Sequence, residues 1–128
     1  MVVDTSAVIA ILQDEPGSNE LVETLIGSAV RRVSAANLLE SAMVMQARYG
    51  DAGEGEVDVL FQRLRVEIVP VTAQHAEIAR SAFRRYGKGR HPAGLNFGDC
   101  FAYALSKAMA EPLLFVGEDF GLTDVDRV

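Results

Sequence analysis

The sequence has a single cysteine, Cys100, so no internal disulfide can form and the thiol is expected to behave as a small buried hydrophobe. It has no apolar run approaching the roughly 18 residues that a membrane span needs. Its opening, MVVDTSAVIA, lacks both a basic segment ahead of an apolar one and a small-residue cleavage site. Neither a membrane span nor a secretion signal is expected, and a cytoplasmic location follows. A basic surplus is lacking too: the net charge of −6 argues against general electrostatic attraction to nucleic acid. There are no internal repeats, low-complexity tracts or Ser/Pro-rich linkers, so the 128 residues read as one domain, 1–128, long enough for a real core. The zinc-type spacings HExxH and CxxC do not occur.

What is present is a succession of short apolar segments and breakers that alternate as strand and helix signals. Met1 to Val3 read as a buried strand, and Thr5 or Ser6, with Asp4 competing, is placed to cap a helix running to about Gln13 before the Pro16-Gly17 break. A second helix spans Ser18 to about Ser28. Arg32 to Ala35 give a weak strand signal, followed by a helix from Ala36 to Tyr49 that Gly50 stops, with its LLESAMVM centre mostly buried. A further helix covers Gly55 to Leu64. Val66 to Val71 is the clearest strand, being rich in β-branched residues and closing at Pro70. Thr72 caps the next helix and Gly87 closes it. After the loop GKGRHPAG, Asn96 caps a helix to about Ala110, Pro112 ends it, and Leu113 to Val116 form the last strand. Strands separated by helices favour an α/β fold: a three-layer α/β/α sandwich around a mostly parallel sheet.

In such a sheet, strand ends and the starts of the following helices share the edge where ligands bind. Asp4 follows the first strand, Asp119 follows the last, and Glu40 lies early in the helix after the second strand. The helix that begins near Asp99 runs into the last strand, which returns its N-terminus to the same edge. Each acid alone has an ordinary explanation: Asp4 and Asp99 as helix caps, Glu40 as a helix former, Asp119 as a turn residue. Together they repel, since unit charges ~4 Å apart repel by about 4 kcal/mol at an effective dielectric of 20. Such a cluster takes up protons or a cation. Its hard oxygen donors select Mg²⁺, with Mn²⁺ able to substitute, and a carboxylate cage of this kind suits phosphodiester hydrolysis. Asn96 is expected to cap its helix and so leave Asp99 free, while Cys100 turns toward the packed side with Ala104.

Charge is unevenly placed. Arg80, Arg84, Arg85, Lys88 and Arg90 fall in one segment without Asp or Glu, giving a basic face within an acidic chain. The helix dipole accounts for Arg84 and Arg85, although Arg84 continues a row toward Lys88. Lys88 and Arg90, in the glycine-rich loop, are the better candidates for contact with an anionic ligand. His91 reads as a loop histidine able to join them, and His75 as a helix-surface residue.

Four segments, VVDTSAVIAIL, ANLLESAMVM, YGKGRHPAGLNFGDCFAYALSKA and LLFVGEDFGLTDV, occur in an order that resembles the PIN-domain ribonucleases, specifically the VapC toxins of bacterial type II toxin-antitoxin systems. The resemblance covers essentially the whole chain. It implies an α/β/α sandwich in which Asp4, Glu40, Asp99 and Asp119 are the catalytic, metal-holding acids and Ser6 supports the first of them. It also implies a homodimer, an RNA substrate such as tRNA or rRNA, and a VapB-type antitoxin that covers or enters the acidic pocket. Glu118 and Asp124 lie close to Asp119, and their division of labour with it stays open.

Two other classes of protein compete. A receiver domain requires paired acids after its first strand and an acceptor Asp after a middle strand, whereas only Asp4 follows the first strand here and Pro70 ends the middle one. A haloacid-dehalogenase phosphatase wants DxD, and Ser6 occupies the second acidic place. A catalytically inactive PIN-fold binding module is the third alternative.

Overall fold

The computed structural model describes residues 1–128. Strand β1 (Val2–Val3) leads into helices α1 (Thr5–Leu12) and α2 (Ser18–Gly27), which are separated at Gly17 in the left-handed region, φ 90°. Strand β2 (Arg32–Ser34) runs directly into α3 (Ala35–Arg63), whose first turn is capped by the Ser34 hydroxyl accepting from the Ala36 N–H at 3.3 Å. Then come β3 (Glu67–Val69), α4 (Ala73–Tyr86), α5 (Phe97–Met109), β4 (Leu113–Leu114) and a 3₁₀ turn (Asp119–Leu122). Thr72 caps α4 as expected, its hydroxyl accepting from the His75 N–H at 3.1 Å.

The strands form one all-parallel sheet in the order β3-β2-β1-β4, with Val2 opposite both Arg32 and Leu113. Alternation along the strands divides the interior in two, because successive side chains leave a strand on opposite faces. Val2, Leu113 and Phe115 enter a core with Ala79, Ala82 and Leu105 from α4 and α5. Val3, Val33 and Leu114 enter another with Val8, Leu25, Met45 and Val57 from α1, α2 and α3. Each fully buried Val or Leu contributes about 1.5–3 kcal/mol relative to exposure, so these few residues secure both helical layers. This is the expected three-layer sandwich. No helix is long and apolar enough to cross a membrane.

Chain order sets the functional edge. From β1 the chain steps to β2 and β3 on one side, then crosses back to β4 on the other side of β1. The order therefore reverses beside β1, and ligands in open parallel sheets bind at the carboxyl ends of strands at such a point. At the opposite edge Arg32 pairs with Glu67 at 3.1 Å and with Glu111, and the Met1 ammonium lies 3.2 Å from Glu111.

Several expectations change. The segment Val66 to Val71 yields only Glu67–Val69, an edge strand with Ile68 46% exposed, whereas the weakly signalled β2 is central, with Val33 fully buried. Helix α3 does break at Gly50 (φ 70°, ψ −160°), but it resumes at once and carries Gly53 and Gly55 inside a helical segment. The LLESAMVM stretch is not mostly buried: Leu39 and Met43, one turn apart, are 60% and 62% exposed. His75 is buried rather than on the surface.

Candidate active site

Asp4 sits where β1 becomes α1. Its backbone N–H donates to the Leu114 carbonyl at 2.9 Å, which sets the residue against the end of β4. It is also the helix cap, accepting the Ser6 N–H on Oδ2 at 2.9 Å, so neither Thr5 nor Ser6 fills that place. The Ser6 hydroxyl accepts from the Val116 N–H at 3.0 Å and ties the exit of β4 to α1. Asp4 is 2% exposed, and its other oxygen, Oδ1, is buried without any partner. Burial raises its pKa to about 6, against the opposing Ser6 hydrogen bonds; repulsion from Asp99 and Glu40 adds to the rise.

Glu40 is placed by residues that the sequence did not single out. Asn37, fully buried one turn earlier on α3, donates to Thr5 Oγ1 at 3.2 Å, to the Gly98 carbonyl at 3.0 Å and, at 3.4 Å, to Glu40 Oε1. A single amide thereby links α1, α3 and α5 under the acids. Gly98 lets α5 begin against Glu40, because a Cβ there would meet Glu40 Oε1 and Cδ at 2.5 and 2.4 Å. The sequence signal for both was available: a polar residue three positions before Glu40 on an otherwise apolar helix face, and a glycine in the first turn of a helix.

Asp99 does not stand free of the backbone. Asn96 caps α5 as expected, accepting the Asp99 N–H at 2.9 Å, but Asp99 Oδ2 in turn accepts the Asn96 N–H at 3.0 Å. This reciprocal capping box arises because the third helical residue is itself an acceptor. It fixes the carboxylate at the mouth of the site and leaves Oδ1 for other work. Burial raises the Asp99 pKa, the Asn96 backbone hydrogen bond opposes the rise, and Glu40 and Asp119 add repulsion.

Asp119 opens the 3₁₀ turn after β4 and is exposed, held there by the buried neighbour Phe120, whose ring lies 5.2 Å from that of Phe115. Asp124 is engaged elsewhere. It accepts from the Tyr103 hydroxyl at 2.6 Å and lies 3.3 Å from the Lys107 ammonium, and these bonds hold its pKa below the usual range although burial opposes them. The fourth position is thus contested only by Glu118, which is exposed. Cys100 is buried, and burial pushes its thiol up to about 11, which keeps it protonated and unreactive at neutral pH.

Asp4, Glu40, Asp99 and Asp119 therefore share one electrostatic neighbourhood. As the side chains stand, no three His, Cys, Asp or Glu residues are close enough to ligate a common ion. The donor set nonetheless fits a hard divalent cation: it is all carboxylate, mutually repelling, and includes a buried oxygen with no hydrogen-bond partner.

Comparison with known proteins places this arrangement. The family described as PIN domain matches residues 1–126. The chain is 52% identical to a protein of Mycolicibacterium smegmatis named Ribonuclease VapC, covering all of this chain and 99% of that one. It belongs to the PIN-domain family of VapC ribonucleases. Solved structures agree on the fold. The toxin VapC20 of Mycobacterium tuberculosis, described as cleaving the sarcin-ricin loop, superposes with a TM-score of 0.79 at 18% identity over 99% of this chain and 97% of that one. VapBC2 of Rickettsia felis, bound to a DNA fragment from its promoter, gives 0.75 at 15% identity, with 99% and 96% covered.

This PIN domain has a topology unlike that of receiver domains, whose strand order is 2-1-3-4-5, so the signalling alternative is set aside. Its basic segment divides. Arg85 lies 3.6 Å from Asp124 and donates to the Tyr86 hydroxyl at 2.7 Å, so it has a partner beyond the helix dipole. Arg80 pairs with Glu77 on the surface. Lys88 and Arg90 are exposed in the loop after α4, with the Arg90 guanidinium 5.7 Å from the centre of the Phe83 ring. His91 packs edge-on against Tyr86, and its Nδ1 accepts the Ala93 N–H at 3.0 Å, which leaves Nε2 for any ligand.

Proposed function

We propose that this chain is a toxic, metal-dependent endoribonuclease whose active site is formed by Asp4, Glu40, Asp99 and Asp119. The observation that carries this reading is the buried Asp4 carboxylate, with one oxygen unpartnered, in the field of Glu40 and Asp99. An ionised carboxylate so placed is costly unless a cation neutralises it. Mg²⁺, or Mn²⁺ in its place, would lower the pKa of a coordinated water and offset charge on the phosphoryl oxygens. The four acids would hold it. Ser6 keeps Asp4 in place through its N–H, Asn96 orients Asp99 through the capping box, and Asn37 steadies Glu40. No protein nucleophile takes part: water attacks phosphorus, the bond to the 3′ oxygen breaks, and that oxygen takes up a proton. The products are 5′-phosphate and 3′-hydroxyl ends.

Lys88, Arg90, His91 and Arg84 supply the wall that tracks the RNA backbone, which the acids alone would repel. A VapB-type antitoxin silences the enzyme from the same side. The exposed Leu39 and Met43, which flank Glu40 on α3, offer an apolar approach for an antitoxin segment entering the acidic pocket. The working form is a homodimer acting in the cytoplasm on tRNA or rRNA. The test is to free the chain from any antitoxin, incubate it with total RNA and Mg²⁺, and sequence the new 5′ ends. Discrete cuts bearing 5′-phosphates are expected; intact RNA would leave the inactive binding module as the reading.

A further inference from the structure

Helices α2 and α3 both end at the amino edge of the sheet, opposite the acids, and beside their ends lies a hollow of about 230 Å³ lined by Ile26, Arg31, Arg63, Leu64 and Arg65. None of these three arginines pairs with a carboxylate. The pleat of the sheet explains why. Successive side chains leave a strand on opposite faces, so Arg32 is carried to the side where it meets Glu67 and Glu111, while Arg31, in step with Val33, faces the layer of α2 and α3.

Helix ends account for part of the charge. Arg31 Nη1 donates to the Leu25 and Ser28 carbonyls at 2.5 and 2.7 Å, which closes α2 and holds the guanidinium in place. Arg63 lies in the last turn of α3, where the dipole favours it. Each helix end carries only about half a negative charge, so two ends leave roughly two of the three positive charges uncompensated. Arg65 has no such account. It follows α3 at φ 50°, its N–H donating to the Gln62 carbonyl at 3.2 Å and the next N–H, of Val66, to the Phe61 carbonyl at 2.9 Å. Glycine is the usual residue at that point of a helix end, because a side chain in the left-handed region costs on the order of 1 kcal/mol. Here the place holds a third guanidinium.

We propose that this hollow is a phosphate-binding site, separate from the acidic pocket, for a phosphoryl group borne by an RNA backbone or by a free phosphate ester. Guanidiniums supplied by a helix end and by two turns suit a tetrahedral oxyanion, whose oxygens point several ways; a planar carboxylate occupies a single fork. Arg31 is already held by its two carbonyls, so little of its freedom remains to be lost on binding. In a chain of net charge −6 such a cluster is a local exception, and it stands at the edge where the acids do not repel an anion.

The test needs neither metal nor cleavage, so its failure leaves the ribonuclease reading untouched. The full chain in EDTA is titrated with inorganic phosphate at constant ionic strength, with chloride as the control, and followed residue by residue by NMR of its amides. Saturable shifts at Arg31, Arg63 and Arg65 are expected with phosphate alone. Arg65→Gly suits the left-handed backbone and should unfold at no lower urea than the wild type, yet bind phosphate about tenfold more weakly, the loss of one charge-assisted hydrogen bond. Arg63→Gln changes an exposed side chain without altering the backbone and should lose a similar amount. A hairpin RNA in place of phosphate separates the two sources. Shifts at the same amides, with the salt slope of binding reduced by about 1 in each variant, assign the site to an RNA backbone. Shifts with phosphate but none with RNA assign it to a free phosphate ester. Equal shifts in chloride and phosphate, or wild-type phosphate affinity in both variants, would overturn the inference.

Discussion

A β-carbon on residue 98 would stand 1.9 Å from Glu40 Oε2, so the glycine before Asp99 is what lets α5 start against the carboxylate on α3. Helix propensity alone favours alanine over glycine by about 1 kcal/mol, so Gly98→Ala would be mildly stabilising at an open position. Here it has to push Glu40 aside. A displacement of about 1 Å in a catalytic group costs on the order of a hundredfold in rate, and Gly98→Ala is expected to lose cleavage on that scale while still unfolding cooperatively. Wild-type cleavage by this variant, measured on the same RNA, would show that the position of Glu40 does not matter.

The buried Asp4 makes stability depend on pH in a stated direction. Its folded pKa is raised to about 6 from 3.8, so the stability it contributes is full below about pH 4 and is lost as pH rises through 6. A rise of roughly two units corresponds to about 3 kcal/mol. In EDTA, Asp4→Asn should therefore be more stable than the wild type above pH 6, by up to about that amount, with the gain vanishing near pH 4. The asparagine keeps an acceptor for the Ser6 N–H. Urea unfolding across pH 4 to 8 measures this, and a variant that is destabilised at every pH would contradict the burial argument.

Lys88 and Arg90 carry charge in an exposed loop without carboxylate partners. Replacing both with alanine should reduce the salt dependence of single-stranded RNA binding by about 1 to 1.5 in log–log slope, the amount expected for two lost phosphate contacts. The rate at saturating RNA should change little. An unaltered slope would remove both residues from the binding face.

How much of this was legible in the sequence differs between the fold and the site. Alternating apolar and breaker segments were enough for a parallel sheet with helices on both faces, and Asp4, Glu40, Asp99 and Asp119 followed from topology because strand ends share an edge. Position within the sheet was not legible. β-Branching marks Val66 to Val69 as extended but does not say that β3 lies at the edge, while Val33, in a weak run, is central because strands pair on both sides of it. The burial of His75 and the exposure of Leu39 and Met43 depend on which helix faces which, and periodicity alone leaves that rotation open. Asp99 is legible as an acid at a helix start with a capping role of its own, but the cap at Asn96 does not free it from the backbone, because the box is reciprocal and Asp99 Oδ2 accepts the Asn96 N–H. Asn37 stands three residues before Glu40 on one helix face, a local signal, whereas Gly98 meets Glu40 only across segments distant in sequence, so its position in a helix first turn did not name its partner.

The central claim is that four carboxylates and a divalent ion cut RNA without a protein nucleophile. The most direct measurement compares the antitoxin-free wild type with Asp99→Asn on total RNA, each in Mg²⁺ and in EDTA, with both proteins checked for cooperative unfolding. Discrete cuts are predicted only for the wild type in Mg²⁺. Undiminished cleavage in EDTA, or by folded Asp99→Asn in Mg²⁺, would contradict the account.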